Sequence, residues 1–467
     1  MKNKNVFKVL GIMILAVFVL TWIIPSSTIG TSSITLGSIT PTGFADVFSA
    51  LEIILYYFAT PSILILFVGM FYGVINKTGG YKALVDKMVS IFKKRKWLFL
   101  VLTVLFYGAT TALTGIYLPM IIFIPFSIAV MLELKYKKLP SLLATVGSVI
   151  VGLTAELSSY TFESMTGAET NTYLWIKVAL LVVSLALVVV YILKFGDKKV
   201  KKSKGKKKEE IEEVNDSMFV PEVRNTVKPQ KTKGIGLLVV ICLTFATIVL
   251  GLTVWSDNTV FSDFYTSVQS VQIGSFAIFD SILGTFETFG EWTFVSVYVT
   301  LALAIIVMAI VNKLTFKETV ESAVEGASKV VKLAFVAALL SLVVIFTLNS
   351  GFLITIFNGL AKSGSLFGIS VASFISAPFM VEQVYSAQYL IQIIYAITAN
   401  DNLLELYGLI VQVAHGFGML VAPSSVLLII SLLYVDEGYT NWVKYIWKVL
   451  AAIFVACVVA LIVASII

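Results

Sequence analysis

The chain has 467 residues, 58% of them hydrophobic and only 13% charged. That balance leaves too little polar surface to coat a soluble globule of this size, so the bilayer has to be the solvent. The net charge of +7 does not point to nucleic acid, because residues 194–233 hold 13 Lys and Arg against seven acids and the rest is nearly neutral.

In chain order, residues 1–25 join a basic start (Lys2, Lys4, Lys8) to an apolar run, with no small-residue cleavage pattern before the polar Ser26–Thr35 stretch. They read as a retained first helix near 6–24, followed by a second near 53–75. Residues 97–132 begin after Lys93-Lys94-Arg95-Lys96 and end before Lys135, with Gly108-Ala-Thr-Thr-Ala-Leu-Thr-Gly115 in the middle. Both ends then lie on one side, as in a re-entrant hairpin with a polar tip at Gly108–Gly115. The run 140–166 follows as a long interrupted helix and 173–193 as a plain one. The block 194–233, with Lys198–Lys208 ahead of Glu209, Glu210, Glu212 and Glu213, reads as a solvated linker whose basic half suits contact with anionic lipid. The order then repeats, with runs at 235–254, 293–312 and 331–349, a second hairpin over 366–400 turning at Pro378 and Glu382–Ser386, an interrupted helix over 403–435, and a last helix over 444–467. An ordinary full-length helix pair is the alternative to each hairpin.

Lys and Arg near helix ends are retained on the cytoplasmic side. The clusters at 77–96, 135–138, 194–233, 313–332 and 444–448 all lie inside on one path, with the N-terminus and the 194–233 linker cytoplasmic; Lys177 and Lys362 fall at outer helix ends. The chain divides into 1–193, with a first repeat over 53–193, the linker, and 234–467, with a second repeat over 331–467. The expected fold is an all-α polytopic protein of the cell membrane with inverted repeats, each holding a re-entrant hairpin and an interrupted helix. Such an arrangement puts a solute site at the midplane, where the discontinuous segments meet.

Glu156, Ser159, Tyr160 and Glu163 stand at i, i+3, i+4 and i+7 and share one helix face, as do Glu382, Tyr385, Ser386 and Tyr389. A carboxylate this deep needs a cation, a donor or water, so Glu156 reads as a substrate or coupling-ion group or as a structurally paired acid. Glu163 is nearer the interface; Glu382 carries the same two readings as Glu156. His415, the only histidine, suits proton coupling or plain packing. Thr110, Thr111 and Thr114 with Ser158 and Ser159 offer oxygen ligands or donors to a solute carboxylate, or helix–helix hydrogen bonds. Cys242 and Cys457 lie in apolar runs without metal spacing. The core segments carry acids but no Lys or Arg at mid-depth, which favours a zwitterionic or cationic amino acid over a dianion.

Thr21-Trp-Ile-Ile-Pro25, Phe71-Tyr-Gly-Val-Ile-Asn-Lys-Thr-Gly79, Gly108–Gly115, His415-Gly-Phe through Pro423-Ser424-Ser425, and Tyr439-Thr-Asn-Trp-Val-Lys444 occur in this order over most of the chain. In these the chain resembles the YfcC-type carriers, a C4-dicarboxylate anaerobic carrier-like family of the ion transporter superfamily. The resemblance implies a homodimer with a scaffold and a mobile transport domain, two hairpins cradling the solute, and elevator-like movement. The family's Asn-Pro breaks are Glu156-Leu-Ser-Ser159 and Val421-Ala-Pro-Ser-Ser425 here, and its Asp-Gly-Phe is His415-Gly-Phe. H⁺ coupling or solute exchange is therefore expected ahead of Na⁺. The expectation is a secondary transporter of amino acids, basic ones among them, with no cofactor, no enzymatic activity and no nucleic-acid partner. A C4-dicarboxylate carrier and a non-transporting receptor or scaffold are the alternatives.

Overall fold

The structure is a computed structural model that describes residues 3–30, 33–57, 59–158, 161–162, 165, 172–196, 234–255, 259–284, 287–362, 364–398 and 400–467. The site candidates Ser159 and Glu163, with Tyr160 and nearly all of the linker, lie outside these residues. The chain is a multi-pass helical membrane protein: seven of its described helices are long and apolar enough to cross a bilayer.

The fold divides into two units. The first comprises Met1–Ser62, Phe92–Ser217 and Lys332–Ile467. It opens with α1 (Asn3–Ile23), an antiparallel pair β1 (Ser27–Ile29) and β2 (Ile34–Leu36), and α2 (Phe44–Tyr57). The span expected over 53–75 is interrupted before Pro61, and the crossing helix is α3 (Thr60–Lys77), with α4 (Gly80–Phe92) after it. Proline is tolerated in a first helical turn, where its missing N–H has no partner to lose, but not in a helix interior.

Next comes α5 (Lys96–Thr114), which does not bend at Gly108. Its last two turns include Thr110, Thr111 and Thr114, and the chain leaves only at Gly115, whose φ of 70° is left-handed and whose N–H returns to the Thr111 carbonyl. The first arm is therefore a 19-residue helix, and the turn expected over Gly108–Gly115 begins only at Gly115. A 3₁₀ turn (Leu118–Ile122) leads into α6 (Ile124–Glu133), with Pro119 and Pro125 in first turns. Then α7 (Lys138–Thr154) carries one π turn at Leu143–Gly147, and α8 (Leu174–Phe195) follows with Lys177 buried.

The second unit comprises Ile63–Ile91 and Met218–Val331. It holds most of α3 and α4, then α9 (Gly234–Leu252), α10 (Thr259–Gln269), the pair β3 (Gln272–Ile273) and β4 (Phe276–Ala277), α11 (Ile278–Leu283) and α12 (Phe294–Val311). The 35-residue α13 (Phe316–Ser350) begins there with a capping box, Thr315 N–H to Glu318 and Glu318 N–H back to the Thr315 hydroxyl. A Cβ on Gly73 would lie 2.2 Å from the Ser322 carbonyl, so α3 and α13 touch through backbone, as small residues allow in membranes.

The first unit resumes with α14 (Phe352–Ala361), α15 (Leu366–Ser376), a 3₁₀ turn (Ala377–Phe379), α16 (Gln383–Thr398), α17 (Leu404–Met419), α18 (Val426–Tyr434) and α19 (Tyr439–Ala464). The turn at Pro378 lies where expected, but it ends at Glu382, and Gln383–Ser386 already form the first turn of α16. Helix, 3₁₀ turn, helix and broken helix thus recur in the same order, once from α5 to α7 and once from α15 to α18.

Candidate functional site

Helix α7 stops at Thr154 because its backbone finds other partners. Past the break, the Leu157 N–H donates to the Ala112 carbonyl of α5 at 2.6 Å, and Gln412 Nε2 of α17 donates to the Glu156 carbonyl at 2.9 Å. Irregular backbone inside a membrane survives only with such cover. Close approach makes it possible: a Cβ on Gly416 would sit 2.4 Å from the Thr154 Cα, so α17 lies directly on the end of α7.

The Glu156 side chain is 2% exposed. Ser158 Oγ donates to its Oε1 at 2.7 Å, and Gln383 Nε2 of α16 donates to its Oε2. Its Oε1 rests over Gly115, where a Cβ would come within 2.8 Å. One carboxylate thus joins the end of α5, the break after α7 and the start of α16. Sequence reasoning missed both glutamines, although a glutamine is nearly as foreign to an apolar segment as an acid. Gln412 Oε1 and Thr111 Oγ1 are buried with no hydrogen-bond partner among the described residues.

The second break, Leu420–Ser425, is held from α19. Trp442 Nε1 donates to the Leu420 carbonyl at 2.9 Å, and the Tyr439 hydroxyl donates to the Val421 carbonyl. Ser424 Oγ donates to the Pro378 carbonyl, fastening this break to the turn before α16. Ser386 Oγ and His415 Nδ1 share a hydrogen bond of 2.7 Å, both groups buried. That spacing would suit a nucleophile and its base, and among the described residues no carboxylate is hydrogen-bonded to the other ring nitrogen.

These elements enclose a cavity lined by Tyr117, Leu153, Glu382, His415, Ser425 and Val426, with further apolar residues. Its volume of about 10 Å³ leaves room for a single water. Glu382 is half-buried, and its carboxylate has no hydrogen bond or ion pair among the described residues. The same cavity is lined by the start of α18, whose first-turn N–H groups favour negative charge. Among the described residues no Lys or Arg lines it.

The structure therefore separates the sequence candidates. Glu382, His415 and Ser425 meet in the cavity, with Ser386 behind His415. Glu156 and Ser158 form a neighbouring hydrogen-bonded group. The Thr114 hydroxyl donates to the Thr110 carbonyl at 2.6 Å and accepts the Ile116 N–H, closing the end of α5, while half-buried Thr110 lies outside the cavity lining. Among the described residues no cluster of His, Cys, Asp and Glu has the makings of a metal site.

A family model described as C4-dicarboxylate anaerobic carrier matches residues 59–466. No curated protein matches the chain. Among solved structures, the YdaH transporter of Alcanivorax borkumensis is similar at 12% identity, with 98% of this chain and 97% of that one covered and a TM-score of 0.44.

Proposed function

Because this chain belongs to the C4-dicarboxylate anaerobic carrier family and is a membrane transporter, we propose that it is a secondary active carrier of amino acids, basic ones among them. The observation that supports this reading is the polarity of the cavity, whose lining holds both Glu382, with no hydrogen bond or ion pair to its carboxylate among the described residues, and the N-terminus of α18 with Ser425. An α-ammonium at Glu382 and an α-carboxylate at the helix end satisfy both, without a basic side chain. His415, hydrogen-bonded to Ser386, takes or releases the coupling proton as cargo enters. Glu156 serves as a tie between the two series of elements. The cavity is far smaller than any amino acid, so loading requires α16 and its preceding turn to part from α7.

In this proposal the two series of elements cross the membrane in opposite senses, the N-terminus and linker are cytoplasmic, and two copies work as a dimer with elevator-like movement of the cavity-bearing helices. Proton coupling or exchange is preferred to Na⁺ coupling. The family description supports a second reading, a C4-dicarboxylate cargo. Counterflow in proteoliposomes with labelled lysine, arginine, neutral amino acids, succinate and fumarate decides between them. Exchange of an amino acid at rates unaffected by excess succinate is expected. Exchange confined to dicarboxylates would refute the amino-acid reading.

A further inference from the structure

The segment between α9 and α12 is not accounted for by transport. Both helices are apolar; α12 is one of the seven long enough to cross and α9, at 19 residues, also reaches bilayer length, so with both as crossings the stretch that joins them leaves and re-enters at one membrane face. Its ends are marked by tryptophans: Trp255 Nε1 donates to the Leu250 carbonyl at 2.8 Å, and Trp292 Nε1 donates to the Glu287 carbonyl at 2.9 Å. A chain of rings runs between them, Trp255 to Phe261 at 5.5 Å, Phe261 to Phe289 at 5.6 Å and Phe289 to Trp292 at 5.3 Å. Phe261 belongs to α10, so this chain lays α10 across the ends of the two crossing helices.

On α10, Val260, Phe261, Phe264, Tyr265 and Val268 share one face, and Thr259, Ser262, Asp263 and Thr266 occupy the other. The face that carries Phe261 is therefore turned toward the ring chain, at the level where aromatic belts meet headgroups. Yet no residue of α10 is buried: Val260 is 66% and Phe264 58% exposed, and Ile282 of α11 is 69% exposed. No Lys or Arg occurs from 234 to 312, whereas Asp263, Glu287 and Glu291 are acidic, so charge gives this surface no attraction to anionic lipid.

We propose that α10 and α11 lie in the plane of the membrane and dock on the interface of zwitterionic phospholipid, with Val260, Phe264 and Ile282 at the boundary of headgroups and upper acyl chains and the Ser262–Asp263–Thr266 face in water. The occupant of the exposed face is lipid, because the face continues the aromatic belt of two crossing helices. Docking is driven by apolar burial, so its depth is independent of anionic lipid content.

The test uses the full chain with Cys242→Ala and Cys457→Ala, carrying Phe264→Cys, Val260→Cys or Thr266→Cys labelled with bimane. Each variant is reconstituted in phosphatidylcholine brominated high on the acyl chains and retained only if monodisperse before reconstitution. Bimane emission is expected to fall about two-fold at 264 and 260 but not at 266, equally with and without added phosphatidylglycerol. Unquenched emission at both 264 and 260 would overturn the proposal, as would equal quenching at 266. Oxidative cross-linking of Phe264→Cys into a covalent dimer would also overturn it, by showing that a second copy covers the face.

Discussion

Gln383 gives the sharpest test of how the two series of elements are joined. Its Nε2 donates to Glu156 Oε2, and both residues are buried, at 4% and 2% exposure. Replacing it with leucine keeps the bulk and removes the donor, leaving a buried carboxylate oxygen short of one hydrogen bond. Hydrogen bonds to charged groups contribute about 1.5–3 kcal/mol, and Gln383→Leu should destabilise the protein by that amount. The exchange Glu156→Gln with Gln383→Glu supplies the control. Ser158 already occupies Oε1, so the amide of residue 156 can keep its oxygen there and turn its nitrogen to the new carboxylate. Each single variant should lose stability and the pair should recover most of it, the signature of direct coupling. Unfolding in sodium dodecyl sulfate, followed by loss of helix signal, measures all four proteins. A Gln383→Leu variant within about 0.5 kcal/mol of the parent, or a pair no better than its worse single member, would refute the link.

Glu382→Gln should weaken binding of a basic amino acid by about 2–4 kcal/mol, roughly 30- to 1000-fold in Kd, because it deletes one member of a desolvated charge pair. Equilibrium binding in detergent measures this, and an unchanged Kd would remove Glu382 from the cargo site. Gly416→Leu places a side chain where even a Cβ lies 2.4 Å from the Thr154 Cα, and should cost about 3 kcal/mol or more, read as loss of monodisperse protein. Trp442→Phe removes the donor to the Leu420 carbonyl and should lower stability by about 1 kcal/mol with little change in packing, measured by the same unfolding assay. Shortening the charged linker within 198–216 should leave counterflow intact, since Glu382, His415, Ser425 and the other described residues of the cavity all lie elsewhere in the chain.

The crossings were legible because a bilayer-length apolar run is its own signal, and the interruptions near 155–158 and 420–425 showed through polar residues that such a run does not tolerate. Glu382, His415 and Ser425 were legible for the same reason, although nothing in their spacing foretold that they share one cavity. The sequence alone did not reveal how the breaks are held. Gln412 satisfies a carbonyl 256 positions earlier in the chain, and Tyr439 and Trp442 satisfy the carbonyls of the second break, pairings that depend on tertiary approach and leave no periodic trace. Gly115 illustrates the opposite error: two glycines around three threonines suggested a loop, yet membrane burial keeps Gly108–Thr114 helical and only the left-handed position ends the helix. The small β pairs were equally hidden, being too short and too exposed to carry an alternating pattern.

The strap formed by β1 and β2 has a consequence for the timing of assembly. The Ser27 N–H donates to the Gly351 carbonyl, the hydroxyls of Ser27 and Thr355 meet at 2.7 Å, and the Thr40 hydroxyl donates to the Ser350 carbonyl. None of these partners exists when the strap leaves the ribosome. At about 5–20 residues per second, the stretch around 350–355 follows roughly 15–60 s later, and until then the polar edge of the strap has only water to bond. The joint between α13 and α14 is therefore sealed by a segment made long before it, and a nascent chain truncated before this joint would present that strap unclosed to quality control.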